Sequence, residues 1–122
     1  MTASILYKGD LRCECVHVQS GTTIETDAPT DNCGKGERFS PTDTVCVALG
    51  TCIITTIGIR ANDMQVDLSG TKLAVTKHMF SEPRRIGKID VTIQFPPQLN
   101  LPEKDRLLFQ KIGDNCPVMK SL

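Results

Sequence analysis

Polar and apolar residues change their spacing several times along the chain, and each change predicts an element. Over residues 11–18 they alternate. Leu11, Cys13, Cys15 and His17 fall on one side and Arg12, Glu14, Val16 and Val18 on the other, the period-two signature of a strand. A shorter strand at residues 5–7 precedes it across Gly9-Asp10, and the β-branched residues 22–26 return after Ser20-Gly21. Residues 27–38, DAPTDNCGKGER, are a loop by composition. The alternation then disappears. Residues 45–59, VCVALGTCIITTIGI, are apolar or small on nearly every side, which predicts a helix buried all round. Ser40 is placed to cap it, Pro41 to occupy its first position, and Asp43 to put negative charge in its first turn. The run is 15 residues, short of the roughly 20 that span a bilayer, so it reads as a core helix.

Alternation returns after the stop at residues 61–63 and the turn at Gly70. In residues 71–79, Leu73 and Val75 oppose Lys72, Ala74 and Thr76; in residues 85–95, Ile89, Val91, Ile93 and Phe95 share one face. Pro96-Pro97 ends this strand. Pro102 opens a second helix with Leu107, Leu108 and Ile112 as its apolar stripe, broken at Gly113-Asp114-Asn115. Pro117 biases Cys116 away from helical dihedrals. The predicted order is β-β-β-α-β-β-α, an α+β fold in which antiparallel hairpins cover a buried central helix, with residues 1–122 as a single domain.

Composition narrows the function classes. Fourteen basic and fourteen acidic residues give zero net charge, and there is no Trp. A nucleic acid or an anionic membrane as main partner would need a basic field, and base stacking would need aromatic platforms. The first residues, MTASILYKGD, lack the basic and apolar regions of a secretory signal. Six cysteines without that signal predict reduced thiols and a cytoplasmic protein rather than a disulfide scaffold. Cys13, Cys15 and His17 share a strand face and raise a metal site. No fourth ligand stands at zinc-like spacing, and the expectation is no metal and no cofactor.

Three features combine into a resemblance. Ser40-Pro41 opens an apolar helix with Cys52 eleven residues after the proline. Cys116-Pro117-Val118 stands near the end of the second helix. Arg12 lies on an early strand nine residues before the hairpin glycine Gly21. In this order the chain resembles the OsmC/Ohr family of bacterial hydroperoxide-detoxifying proteins. The resemblance implies an intertwined homodimer with its central helices back to back and thiol chemistry at the subunit interface. It makes Arg12 the active-site arginine. Thr42 departs from the pattern, since the better studied branches carry Glu there, and only residues 119–122 follow where the family continues with a strand.

What the resemblance implies chemically is reduction of organic hydroperoxides. Cys52 attacks the peroxide, Cys116 closes a disulfide on the resulting sulfenic acid, and an external dithiol reopens it. Cys52 lies roughly 17 Å from the helix start, beyond the reach of the helix dipole, so a cation is needed nearby, and Arg12 is the candidate. The carboxylate that orients it is open between Glu14 on the same strand face, Asp43 at the helix start, and none. Leu49, Ile53 and Thr56 around Cys52 suit an apolar peroxide tail. Two other readings stand beside the enzyme: a non-catalytic dimer holding an apolar small molecule at the same interface, and a metal-binding thiol protein.

Overall fold

The computed structural model describes residues 1–122. The chain is α+β and its strands pair antiparallel. Its order is β1 (Ala3–Gly9), β2 (Arg12–His17), β3 (Thr23–Asp27), α1 (Pro41–Asp63), β4 (Lys72–Phe80), β5 (Arg85–Gln94), α2 (Glu103–Gly113) and α3 (Pro117–Ser121). The predicted order is present, with the short helix α3 added after Cys116. Single 3-10 turns at Thr30–Asn32 and Pro97–Leu99 tighten two connections. The chain divides into two compact units, Met1–Val45 and Cys46–Leu122.

The first unit is a meander of β1, β2 and β3 followed by the loop to α1. Ile5 pairs with Cys15 and Cys15 with Ile24, while Tyr7 pairs with Cys13 and Cys13 with Thr26. These residues make one apolar face. The opposite face carries Arg12, Glu14, Glu25 and Asp27, with Arg12 directly across from Asp27 and Glu14 across from Glu25. Ser40 and Asp43 close a reciprocal cap at the start of α1. Asp43 N–H donates to Ser40 Oγ at 3.1 Å, and Ser40 N–H donates to the Asp43 carboxylate at 3.0 Å.

In the second unit α1 supplies the core. Leu49, Ile53, Ile57 and Ala61 are buried with Phe109 and Cys116, and Leu73, Ile89, Val91, Ile93 and Phe95 of the β4–β5 side pack against them. The Phe95 and Phe109 rings meet at 6.0 Å between centroids. Two glycines let elements approach closely: a Cβ on Gly50 would meet Val75 at 3.1 Å, and one on Gly113 would meet Ile53 at 3.0 Å.

Three expectations change here. The helix is not buried all round: Val47, Thr51, Thr55 and Ile59 form an exposed stripe, and Ile59 is 63% exposed. At 23 residues, with a mean hydropathy of 1.7 over its most apolar window, α1 is also long and apolar enough to cross a bilayer. Length therefore does not separate the two readings. The packing of Leu49, Ile53, Ile57 and Ala61 into a protein core is what supports a core helix. In α2 the buried side chain is Phe109, with Leu107 turned to solvent, because the face that meets α1 runs through Phe109, Ile112 and Gly113.

Candidate active site

Cys52 and Cys116 come together in the second unit. Cys52 sits mid-helix on α1 and is partly buried; Cys116 is the residue before α3 and is fully buried. Pro117 sets the geometry. It holds Cys116 extended (φ −68°, ψ 155°) and occupies the first position of α3, so the next residue offers a free backbone N–H. That residue, Val118, donates to Cys52 Sγ at 3.5 Å. Thr56, one turn along α1, brings its hydroxyl to 3.9 Å from the same sulfur. These contacts separate the two thiols. The Val118 N–H pulls the Cys52 pKa below its ordinary value of 9.0 against the effect of burial, and the side chains of Cys116 and Thr56 add to it. Burial pushes the Cys116 pKa up, and its bond to Cys52 keeps the proton on it. Of the two sulfurs, Cys52 is the more easily ionised and Cys116 the one that holds its proton more firmly.

Arg12 is clamped in the first unit. Its Nε and Nη2 form a planar fork on Asp27, at 2.7 and 2.8 Å, and Nη2 also reaches Glu37 at 2.9 Å. Asp27 is 1% exposed and accepts a further bond from the Glu37 backbone N–H at 3.2 Å. The guanidinium holds the Asp27 carboxyl at a pKa of about 2. Its own pKa is raised, chiefly by the bond to Asp27.

Glu14 therefore does not orient Arg12; Asp27 and Glu37 do. Glu14 shares the strand face but stands two residues along it, whereas Asp27 is directly opposite on β3. Asp27 fell at the boundary between the predicted strand and loop. The hairpin arithmetic could have found it, because a turn at Ser20-Gly21 that sets His17 against Thr22 also sets residue 12 against residue 27. The Asp43 carboxylate caps α1. Leu49 and Ile53 line a cleft of about 590 Å³ between α1, β5 and α2, with Ile89, Val91 and Phe95 as further apolar walls. Thr56 is not among its lining residues; it serves the Cys52 sulfur instead. His17 Nδ1 lies within hydrogen-bond distance of the Ser20 hydroxyl.

Residues 34–122 match the OsmC-like protein family, and this stretch holds both thiols of the pair. The chain belongs to the OsmC-like family. It is similar over its whole length to a protein of Psychrobacter arcticus 273-4 described as an osmotic stress induced and detoxification response protein. The two share 44% identity and superpose with a TM-score of 0.96 over 88% of that chain. Two more distant relatives share the OsmC-like fold. An organic hydroperoxide resistance protein OsmC of Legionella pneumophila is 14% identical (TM-score 0.69, covering 99% of this chain and 88% of that one). An OsmC-like protein of Vibrio cholerae O1 biovar eltor is 11% identical (TM-score 0.81, covering 98% and 91%). Curated protein sequences yield no match to this OsmC-like chain.

Proposed function

We propose that this OsmC-like protein is a cysteine-based peroxidase that reduces organic hydroperoxides. The observation that carries the reading is the asymmetric thiol pair. The Val118 N–H and the Thr56 hydroxyl meet the Cys52 sulfur and favour its thiolate, and Cys116, whose burial favours the thiol, lies within hydrogen-bond reach of it. The Cys52 thiolate attacks the terminal peroxide oxygen. The O–O bond breaks, the alkoxide takes a proton and leaves as the alcohol, and Cys52 becomes a sulfenic acid. The Cys116 sulfur then attacks Cys52, hydroxide leaves with the Cys116 proton as water, and a disulfide forms. An external dithiol closes the cycle. Both steps run on thiols, so no cofactor enters. The name of the Legionella relative, organic hydroperoxide resistance protein, supports the substrate class. The apolar wall of the cleft, Leu49, Ile53, Ile89, Val91 and Phe95, suits a hydrocarbon tail. The donors around Cys52 replace the activating cation expected from sequence: the Arg12 charge is already matched by two carboxylates, and Arg12 acts as a brace between β2, β3 and the loop through Glu37.

The working form is a homodimer in the cytoplasm. Two uncovered apolar surfaces support the dimer, the α1 stripe through Val47 and Ile59 and the β1–β3 face through Ile5, Tyr7 and Ile24. The test of the activity is a thiol count after adding cumene hydroperoxide to reduced protein. Two thiols lost per chain, with the loss abolished by Cys52→Ser, are expected. No loss would reject the peroxidase and favour a dimer that only holds an apolar molecule.

A further inference from the structure

Given the Cys52–Cys116 disulfide of the proposed cycle, we infer that the reducing dithiol attacks the Cys52 sulfur and expels Cys116, so that the mixed disulfide with the reductant is carried on Cys52. Thiol–disulfide exchange runs along the S–S axis, with the incoming thiolate arriving behind the sulfur it attacks, and access to that sulfur is part of the rate. Cys116 is 0% exposed and sits in the core cluster with Leu49, Ile53, Ile57, Ala61 and Phe109. It has no solvent-accessible surface. Cys52 is partly exposed on α1. A second subunit adds no access to Cys116, and attack on Cys52 requires that the dimer leave it open.

Leaving-group chemistry taken alone argues the other way. The thiol of lower pKa leaves faster, and that thiol is Cys52. Access prevails because a poor leaving group slows exchange, whereas a filled core removes the approach altogether. The steps balance as follows. One thiolate of the dithiol bonds to Cys52 Sγ, the Cys52–Cys116 bond breaks, and Cys116 departs with the electron pair and takes a proton, the form its burial favours. The second thiolate of the dithiol then attacks the reductant's own sulfur. Cys52 leaves as a thiolate into the Val118 N–H and the Thr56 hydroxyl, and the reductant departs as an intramolecular disulfide. The low pKa of Cys52 assists this second step.

Two measurements test the assignment. In the first, wild-type protein is oxidised with one equivalent of cumene hydroperoxide and its remaining free thiols are blocked with iodoacetamide. Excess 2-mercaptoethanol is added, the reaction is stopped with acid after short intervals, and the newly freed thiol is labelled with N-ethylmaleimide in acidic denaturant. Peptide mass mapping of the transient mixed disulfide should place the mercaptoethanol adduct on Cys52 and the maleimide on Cys116, in at least ~10-fold excess over the reverse pattern. An equal or reversed distribution overturns the inference while leaving the peroxidase intact. If the peroxide forms no disulfide at all, the peroxidase reading fails and takes the inference with it, an outcome the thiol count shows before any mapping. In the second, folded Cys52→Ser and Cys116→Ser proteins, with Cys13, Cys15, Cys33 and Cys46 also replaced, are treated with Ellman's reagent. Cys116 should react at least ~10-fold more slowly than Cys52, and equal rates would overturn the inference.

Discussion

At the scale of single residues, partners matter more than residue type. Asp27 and Glu14 are both acidic residues on the polar face of the same sheet, yet one is buried in a fork with Arg12 and the other faces Glu25. The Asp27 pKa of about 2 lies below its ordinary 3.8, so folding favours the ionised form. The resulting stability is complete above about pH 4 and is lost as the pH falls through about 2. Urea midpoints measured down this range should fall for the wild type and fall less steeply for Asp27→Asn, which should also start from a lower midpoint at neutral pH. Parallel curves would mean that Arg12 does not hold Asp27 in solution. The Cys52 shift also has a sign that can be checked. Because its pKa is lowered, the thiolate and the rate of peroxide attack should rise with pH through a midpoint below 9.0. Thr56→Val removes one donor and should move that midpoint upward, read from the thiolate absorbance with the other thiols replaced. A midpoint unmoved by the change would exclude the threonine hydroxyl as a donor.

At the scale of elements, the start of α1 was legible because capping is local chemistry. Ser40, Pro41 and Asp43 lie within four residues, and the reciprocal bonds between Ser40 and Asp43 follow from their spacing. Ser40→Ala should cost about 1 kcal/mol in chemical denaturation. The face of α2 was less legible. Leu107, Leu108, Phe109 and Ile112 permit more than one apolar stripe, and the choice is made by packing against α1, which Gly113 meets closely. A methyl group there would press on Ile53 and Ile57, so Gly113→Ala should destabilise the protein by roughly 1–3 kcal/mol. A neutral result would show that α1 and α2 pack less closely than the structure has them. The period-two runs of β4 and β5 carried their own orientation, since one set of residues faces the core and the other faces solvent whichever partner strand is chosen.

At the scale of the whole molecule, two apolar surfaces have nothing over them in one chain. Thr51 donates its hydroxyl to the Val47 carbonyl at 2.8 Å, so its polar atom is satisfied within α1, in the same stripe as Val47 and Ile59. Light scattering at micromolar concentration should give twice the chain mass, and the melting temperature should rise with protein concentration. Ile59→Asp would place a charge in that stripe and should shift the protein toward monomer. A monodisperse wild-type monomer would defeat the dimer.

The sequence by itself determined the order of elements through α2, the cap of α1 and the strand faces. Each of these depends on spacing along the chain or on a motif whose parts lie close together, whereas the meeting of Cys52 and Cys116 was implied by the family resemblance. Tertiary structure decided which carboxylates hold Arg12, which side of α1 is covered, and which donor supports Cys52. Asp27 is fifteen residues from Arg12 in sequence, and the Val118 N–H is sixty-six from Cys52. A hydrogen bond is set by distance and direction in space, and residue spacing carries neither until the elements between them are packed.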